Sequence, residues 1–469
     1  MTTFFNRHDE LEALADNWSA PDARFFVVWG RRRVGKTELL THFADGKRAL
    51  YFEATDVGLL DQLGDLSVEL SEAAGNPLLA QQPLTSWTAA LTAIEQFARE
   101  GVRTLIVLDE FQYVAAQDSS LASTINRWWR TTGRHLKVVL ILAGSEMGFF
   151  EREVLAGAMY GRRTGQLQVL PFSYRDAALF HPGYAPADRV RTFAVCGGMP
   201  YYLERFDDSA PLREHILRHA LYRDGFLFEE AELLLRQELP KPHHYASVLR
   251  AIAQGQTQNS RIAARAALSG SQVSQIVRTL ERLHLVTTIR PVTASGRSKK
   301  TSYAITDGFL AFYYRFVEPA KSRLRTRDQA EQYVDAVVMP QLDHFVSRLA
   351  WEQICREFVR EQEASADVGS WWGQVPTGEG RKTRSQEIGI VALDSSGDVT
   401  ATGSCKWTNG LIDAHETQLL TATEPYIPGA EHVERRYFCS REGASAELAA
   451  LAAVDPSRYR IVTPATVYG

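Results

Sequence analysis

The sequence predicts an α/β fold with a parallel sheet for the amino-terminal part of the chain. Apolar segments short enough for strands alternate there with helical patterns, which is typical of a parallel sheet covered by helices on both faces. A glycine-rich segment follows the first predicted strand, and two acids follow the third. The predicted strands lie near residues 25–29, 49–53, 103–108, 137–142 and 166–170.

The segment after the first strand fits the phosphate-loop pattern G-x-x-x-x-G-K-[ST]. Its glycines let backbone N–H groups wrap phosphates, Lys36 reaches the terminal phosphates, and the Thr37 hydroxyl can ligate Mg²⁺. The helix that follows adds partial positive charge at its N-terminus. The alternative is a simple glycine turn between strand and helix. We predict that ATP binds through Gly30, Arg31, Arg32, Arg33, Val34, Gly35, Lys36 and Thr37.

Two acids end the apolar strand 104–108 (TLIVL), where a nucleotide hydrolase needs carboxylates. We predict that Asp109 holds Mg²⁺ through water, together with Thr37, and that Glu110 polarises the attacking water. Lys36 completes this predicted catalytic set. The alternative is a solvated helix cap.

Three more residues are predicted near the nucleotide. Ser145 follows the strand 137–142 at the carboxyl edge of the sheet, where it senses the γ-phosphate or caps a helix. Arg162 is predicted to stabilise the transition state, although the sequence leaves open which arginine acts, from which subunit, or whether it is a surface residue. Pro200 lies in a break (GGMP) of the helical region 173–235, which we predict to be a lid, and this break is expected to bring backbone close to the nucleotide.

Composition indicates several globular domains without a global basic surface. The chain has 469 residues and a net charge of −4, so nucleic-acid contacts must come from local patches. Polar residues stand at positions 6–10, where a signal peptide needs an apolar stretch, and no apolar run approaches eighteen residues. We therefore expect a cytoplasmic protein without membrane association. The four cysteines are scattered without metal spacing and are expected to be reduced core thiols: Cys196, Cys355, Cys405 and Cys439.

Residues 245–306 predict a winged helix-turn-helix. Three helices are predicted at 246–253, 259–267 and 271–284, followed by strands at 285–291 and 301–305. The third helix has one apolar stripe and a polar outer face, and cations cluster at the predicted wing. The alternative is a protein-interaction module with a solvated basic loop. The predicted nucleic-acid-binding residues are Gln272, Gln275, Arg278, Arg297, Lys299 and Lys300.

These and other motifs resemble the prokaryotic AAA+/STAND-like ATPases of the archaeal ATPase type, which carry a carboxy-terminal DUF234 domain of the PD-(D/E)xK nuclease fold. The resemblance covers nearly the whole chain and implies a nucleotide-driven switch, a winged helix and a nuclease-like end. It rests on residues 5–11 (FNRHDEL), 30–37 (GRRRVGKT), 51–54 (YFEA), 108–112 (LDEFQ), 144–145 (GS), 160–163 (YGRR), 171–172 (PF), 197–203 (GGMPYYL) and 371–373 (WWG).

The carboxy-terminal end departs from the metal-site pattern of that family. Nucleases of this fold need an acid ending one strand and an acid-x-Lys on the next, because two carboxylates hold Mg²⁺ while the lysine orients or activates water. The family pattern reads roughly E-I-D and E-C-K, whereas this chain has EIG at 387–389 and SCK at 404–406.

Both metal-binding acids are therefore replaced, by Gly389 and Ser404. Glu387 lies two residues before Gly389 and is expected on the same face of its strand, where it partly replaces that acid. Nothing comparable is expected to cover Ser404. The resemblance implies a degenerate nuclease site, with Glu352, Glu387 and Lys406 remaining.

The sequence thus predicts four parts: a P-loop ATPase core (1–172), a helical lid (173–240), a winged helix (241–319) and a PD-(D/E)xK-like α/β domain (320–469). The expected function is an ATP-binding and ATP-hydrolysing switch with an inactive nuclease-like domain, regulatory or defence-related. Two alternatives stay open: an ATP-gated nuclease with a rearranged metal site, and a DNA-binding regulator with little hydrolysis. ATP and Mg²⁺ are the expected cofactors, while DNA, a protein partner and self-assembly are open as partners.

Overall fold

The computed structural model describes residues 4–99, 101–155, 157, 161–239, 241–294, 301–363, 367–376 and 382–469. The chain divides into two compact units, Met1–Pro171 and Phe172–Gly469. The finer division into a lid, a winged helix and a nuclease-like domain stays a prediction. Within the described ranges, no helix is both long and apolar enough to cross a membrane.

A five-stranded parallel sheet forms the centre of the first unit. Its strands are β1 (Arg24–Trp29), β2 (Ala49–Glu53), β3 (Thr104–Asp109), β4 (Val138–Gly144) and β5 (Gly165–Gln168). They pair in the order β2-β3-β4-β1-β5, always in parallel. Every residue of β3 and β4 is buried, as a parallel strand covered on both faces requires. The predicted parallel α/β fold is confirmed.

Amphipathic helices connect these strands and supply the cover. In the fifth of them Ala90, Ile94 and Phe97 recur at helical spacing and are buried, while Ser86 caps its first turn by accepting a hydrogen bond from the Ala89 N–H. The helices are α1 (His8–Ser19), α2 (Lys36–Ala44), α3 (Leu59–Ala74), α4 (Leu78–Gln81), α5 (Trp87–Ala98), α6 (Phe111–Gln117), α7 (Leu121–Thr131) and α8 (Met147–Phe149), with a 3-10 turn at Gly133–His135 and a π-helical turn at Phe150–Leu155.

The strand order determines which polar strand ends meet. Strand β4 lies between β3 and β1, and all three run in the same direction. The segment after β1, the acids ending β3 and the serine after β4 therefore share the carboxyl edge of the sheet. Ligands of open parallel sheets bind at this edge.

The second unit combines helices with two sheets. Its helices are α9 (Tyr174–Ala178), α10 (Pro186–Cys196), α11 (Pro200–Leu203), α12 (Leu212–His215), α13 (Glu230–Glu238), α14 (Pro242–Ala253), α15 (Asn259–Ala266), α16 (Gly270–Arg282), α17 (Gly308–Phe312), α18 (Arg327–Tyr333), α19 (Met339–Val346), α20 (Glu352–Glu363), α21 (His415–Thr423), α22 (Ala446–Val454) and α23 (Pro464–Tyr468). Shorter π-helical turns occupy Ile216–Leu221, Tyr313–Val317, Val334–Val338 and Ser347–Trp351, and 3-10 turns occupy Glu318–Ala320 and Glu424–Tyr426.

Helices α14 to α16 are followed by an antiparallel pair of strands, β6 (Val286–Ile289) and β7 (Ser302–Ile305). In α16 the apolar stripe is buried, and it consists of Val273, Ile276, Val277 and Leu280. The element order agrees with the predicted one, and the winged-helix assignment stays a prediction. Arg297, Lys299 and Lys300 of the predicted wing lie outside the described residues.

A five-stranded mixed sheet forms the carboxy-terminal part of the second unit. Its strands are β8 (Asp367–Pro376), β9 (Thr383–Leu393), β10 (Val399–Lys406), β11 (Arg435–Ser440) and β12 (Tyr459–Val462). The order is β12-β11-β10-β9-β8, with β8 to β10 antiparallel and β10 to β12 parallel. Strand β8 is not among the strands predicted from the sequence, although the tryptophan motif at 371–373 lies in it.

One irregularity in this sheet affects the predicted nuclease-like site. Gly369 on β8 pairs with Val391, but Trp371 pairs with Ile388, so β9 carries one extra residue at this point. Such a bulge bends a strand and redirects its side chains. Gly389, where the family pattern has an acid, lies within this bulge.

Candidate functional site

The loop between β1 and α2 has the backbone geometry that anion binding requires. Arg33 and Gly35 both adopt positive φ, at 68° and 88°, and α2 begins directly after Gly35. Alternation of left- and right-handed residues turns successive N–H groups toward one side, and a helix N-terminus adds partial positive charge. Gly30 is required for a different reason, since a Cβ there would lie 2.4 Å from the Val169 carbonyl oxygen.

Lys36 and Thr37 point back toward this edge of the sheet. The Lys36 side chain is buried, and its Nζ donates to the Arg31 carbonyl at 3.1 Å, within the loop itself. The Thr37 Oγ1 donates to Asp109 Oδ2 at 2.7 Å. The structure therefore joins the predicted hydroxyl and the first carboxylate, which are 72 residues apart in sequence.

Asp109 is a fully buried carboxylate at the end of β3. Besides Thr37, it accepts hydrogen bonds from the Tyr51 hydroxyl at 2.8 Å and from the Glu110 N–H at 2.8 Å. These donors are neutral, so they compensate a buried negative charge only partly. Burial and the adjacent Asp109 carboxylate raise the pKa of Tyr51, which keeps this hydroxyl a donor. Oxygen donors around a buried carboxylate fit a hard divalent cation such as Mg²⁺.

Glu110 lies in the left-handed region, with φ 49°, and its carboxylate meets the residue after β4. Ser145 Oγ donates to Glu110 Oε2 at 2.7 Å, and Gln112 Nε2 donates both to Glu110 Oε2 and to Ser145 Oγ, the latter at 3.2 Å. A side chain at Gly144 would displace this amide, because a Cβ there would lie 2.2 Å from Gln112 Oε1. Two residues thus orient the carboxylate predicted to polarise water.

A third acid adds negative charge at the same edge. Glu53 ends β2, and burial together with Asp109 and Glu110 raises its pKa. Sequence reasoning missed this residue, although its position at the end of the apolar segment ALYFE was a usable signal. Clustered carboxylates of this kind are stabilised by a bound cation.

Arg7, which belongs to the amino-terminal motif FNRHDEL, braces the phosphate loop by hydrogen bonding to its backbone. It is 5% exposed and has φ 69°. Its guanidinium donates to the Val34 and Leu170 carbonyls at 2.8 Å each, and pairs with Glu10 at 2.8 Å. The arginine therefore links α1, the loop and the segment after β5. Only the tertiary structure brings these partners to it.

Two predicted nucleotide contacts, Arg162 and Pro200, stay predictions. Arg162 is exposed in the turn after Gly161, and the neighbouring Tyr160 lies outside the described residues. Pro200 begins α11 in the second unit, behind the glycine pair 197–198. A Cβ at Gly198 would lie 1.9 Å from the Phe172 carbonyl oxygen, so that glycine is needed for close backbone packing within this unit.

A second cluster of charged side chains comes from β9, from the end of β10 and from the start of α20. Glu352, Glu387 and Lys406, the three residues of the predicted degenerate site, line one pocket of about 200 Å³. Burial, with smaller contributions from Cys405 and Glu387, raises the pKa of Glu352 to about 7, and Arg356 opposes the shift. The structure thus brings these residues together as predicted, and leaves their role untested.

The expectation that no acid covers Ser404 is wrong. Glu416, on α21, accepts a hydrogen bond from Ser404 Oγ at 2.7 Å and pairs with Lys406 Nζ at 3.0 Å. It is missed by strand-motif reasoning because it comes from a helix, ten residues beyond the lysine. A carboxylate therefore lies beside the position where the family pattern has an acid on the strand.

This pocket adjoins a larger cleft of about 1030 Å³ within the second unit. Glu352 and Glu387 line both spaces, and the cleft also contains Arg348, Arg356 and Trp372. Arginine and tryptophan side chains are suited to contact phosphates and stack on bases.

The three predicted nucleic-acid-binding residues on α16 differ in the hydrogen bonds they make within the protein. Gln275 and Arg278 are exposed on the outer face. Gln272 is also exposed, but its Oε1 accepts from the Ser269 N–H at 2.9 Å while Ser269 Oγ accepts from the Gln272 N–H at 3.2 Å. This reciprocal cap gives Gln272 a structural role at the start of the helix.

Comparisons with known proteins match two parts of the chain to families. Residues 4–206 match a family described as an "ATPase domain predominantly from Archaea". Residues 313–419 match DUF234, described as "Archaea bacterial proteins of unknown function".

Individual proteins support the same parts. An uncharacterized protein of Methanocaldococcus jannaschii is 25% identical over 413 residues, which cover 86% of this chain and 87% of that protein. An uncharacterized ATP-binding protein of the same organism is 44% identical over 45 residues, 10% of this chain and 76% of that protein. The solved Walker-type ATPase paby2304 of Pyrococcus abyssi has a TM-score of 0.51 at 18% identity, covering 66% of this chain and 96% of that one, which shows a shared fold.

Proposed function

We propose that this chain, whose residues 4–206 match an ATPase domain family predominantly from Archaea and whose residues 313–419 match DUF234, binds Mg²⁺–ATP and hydrolyses it as a molecular switch. The observation that carries this proposal is the contact of Thr37 Oγ1 with Asp109 Oδ2 at 2.7 Å, beside a loop with two left-handed residues. It unites the hydroxyl and the carboxylate that together hold a magnesium ion in such enzymes.

Each residue has a role in this proposal. Lys36 exchanges its carbonyl partner for phosphate oxygens, and Thr37 with Asp109 holds the Mg²⁺, which neutralises charge on the phosphates when bound. Glu110 accepts a proton from, or orients, the attacking water. Ser145 and Gln112 orient Glu110 through the hydrogen bonds they donate to it.

Hydrolysis is tested by Glu110→Gln. This change keeps the shape and the two donors but removes the base, so ATP binding stays within a few-fold while turnover falls at least about 100-fold. Calorimetry with Mg²⁺–ATP and a phosphate-release assay measure the two quantities. Normal turnover in Glu110→Gln would show that Glu110 does not have the assigned role.

The switch itself requires that ATP bind two arrangements of the chain with different affinity. We propose that its output engages DNA or a protein partner through the second unit, where Gln275 and Arg278 are exposed on α16. ATP turnover with and without duplex DNA separates these outputs. Stimulation favours a nucleic-acid-coupled switch, and indifference favours a protein partner.

The alternative of a DNA-binding regulator with little hydrolysis is tested by measuring how DNA affinity depends on salt concentration. If the predicted wing contacts phosphates, the Lys299→Ala, Lys300→Ala double variant binds DNA more weakly and with a shallower salt dependence. Unchanged binding and an unchanged slope would remove the wing from the interface.

A second candidate function, an ATP-gated nuclease, is favoured by Glu416. This residue supplies a carboxylate beside Ser404 and Lys406, in the pocket that also holds Glu352 and Glu387. A plasmid-cleavage assay with Mg²⁺ or Mn²⁺ decides between the two proposals. If wild-type protein cleaves the plasmid and both Lys406→Ala and Glu416→Gln do not, the proposal of an inactive nuclease-like domain is overturned. If wild-type protein does not cleave the plasmid, that proposal is supported.

A further inference from the structure

Three of the four cysteines meet in the second unit, although they are separated by 34 residues or more in sequence. Their sulfur atoms all lie within 4.8 Å of one another. Cys405 on β10 and Cys439 on β11 are register partners in neighbouring parallel strands, and Cys355 comes from α20, which packs against the same sheet. The cysteines are free thiols, as expected, but their spacing in the sequence gave no sign that three of them lie together.

The arrangement fits the size of a thiolate-bound metal ion. With metal–sulfur bonds of about 2.3 Å, three sulfurs around one ion lie roughly 3.8–4.0 Å apart. The cysteines need to approach one another by less than about 1 Å to reach that spacing. All four cysteines of the chain are free thiols, so none of the three is committed to a disulfide.

The cluster also has a path to solvent. Cys355 and Cys439 are buried, whereas Cys405 is partly exposed and lines the pocket of about 200 Å³. Gly389 lies beside this thiol. A Cβ built there would lie 3.6 Å from the Cys405 sulfur, in van der Waals contact with it, so the glycine leaves that space open.

We propose that Cys355, Cys405 and Cys439 bind a single thiophilic metal ion, Zn²⁺ or Cu⁺. Thiolates select such soft ions, whereas Mg²⁺ takes oxygen ligands. Three thiolates suffice for Cu⁺. Zn²⁺ takes a fourth ligand from the pocket, where Glu352 and solvent are available.

This site is independent of the proposed ATPase, because no described residue of the first unit contributes to it. It adjoins the candidate nuclease site, since Cys405 and Glu352 line the same pocket, but it is tested by binding of a thiophilic ion and not by cleavage. Loss of the metal therefore leaves ATP binding unchanged, and failure of Mg²⁺-dependent cleavage does not bear on it.

Metal content of the full-length protein tests the proposal. The chain is reduced and stripped with a chelator without oxygen, incubated with Zn²⁺ or with a Cu⁺ complex, and separated from unbound ion by gel filtration. Elemental mass spectrometry should find one ion more per chain in wild type than in Cys405→Ala. Cys196→Ala, which removes the cysteine outside the cluster, serves as the matched control and should bind like wild type.

A spectroscopic probe keeps the test valid if one variant folds poorly. Co²⁺ bound by thiolates gives sulfur-to-metal charge-transfer absorption, which should appear in wild type and Cys196→Ala and be absent from Cys405→Ala and Cys439→Ala. Circular dichroism and ATP binding check that the variants are folded. The proposal is overturned if reduced wild type takes up neither ion, or if Cys405→Ala binds as much metal as wild type. It is also overturned if the only reaction seen at these thiols is the oxidation of two of them to a disulfide, with no metal bound.

Discussion

Each unit of the molecule gathers charged side chains at its sheet, but by different means. In the first unit Thr37, Asp109 and Glu110 all belong to recognisable motifs, and the parallel order of β1, β3 and β4 brings them together. In the second unit the strands carry Lys406 without its acids, and Glu416 enters from α21 instead. The first site is built from segments that directly follow strands, the second from β9 and β10 together with the helices α20 and α21.

This difference shows that the loss of a motif residue is not the loss of its charge from the site. Strand spacing predicts only neighbours on the same or adjacent strands. A helix lying over the sheet edge can supply a carboxylate from any position that faces the pocket. Glu416 does so, and Gly389 lies within the bulge of β9.

Of the substitutions proposed, Lys36→Ala is expected to have the largest effect. It acts on the first site, in which every motif residue is present. Loss of a buried cation that contacts phosphates costs about 3 kcal/mol or more, so ATP affinity should fall at least about 100-fold. Lys47→Ala, which removes the lysine just beyond the other end of α2, is the matched control. Calorimetry measures both, and similar ATP heats in Lys36→Ala and wild type would contradict the assignment.

Arg7→Ala tests the brace of the phosphate loop. It leaves the Val34 and Leu170 carbonyls without this donor, which should destabilise the first unit by about 1–3 kcal/mol and weaken ATP binding. Arg99→Ala removes a mostly exposed ion pair with Glu95 and should change stability by less than about 1 kcal/mol. Denaturant unfolding compares the two, and equal effects would show that Arg7 has no special role.

Restoring the acids of the family pattern tests the incomplete site. The double variant Gly389→Asp, Ser404→Glu should bind Mn²⁺ at least about 10-fold more tightly than wild type, because it adds two carboxylates. Glu416→Gln should weaken whatever binding wild type has. Calorimetry with Mn²⁺ measures this, and tighter binding in Glu416→Gln would mean that this acid does not face the cation.

The smallest expected effect separates two glutamines of α16. Gln272→Ala removes half of a helix cap and should cost about 0.3–1 kcal/mol of stability. Gln275→Ala has no such bond to lose and should leave stability unchanged while lowering DNA affinity if α16 contacts bases. Thermal unfolding and DNA titration distinguish them, and equal stability losses would contradict the capping role.

Much of the first unit was predictable because its signals are local. The five strands read from apolar segments appear within two residues of their predicted bounds, and the phosphate loop is a contiguous motif. Gln112 and Arg7 belong to quoted motifs, but their partners were not predictable. Their roles depend on contacts with Ser145 and Leu170, which are distant in sequence.

By itself, the sequence determined the parallel sheet, the loop at its edge and the residues predicted to bind a nucleotide, because hydrophobic periodicity and short motifs act within a few residues. The tertiary structure alone decided that Glu416 lies beside Ser404, and that the sulfur atoms of three distant cysteines lie within 4.8 Å of one another. Those neighbours come from a helix and from strands joined by long connections. Their proximity follows from packing and register, which no local pattern encodes.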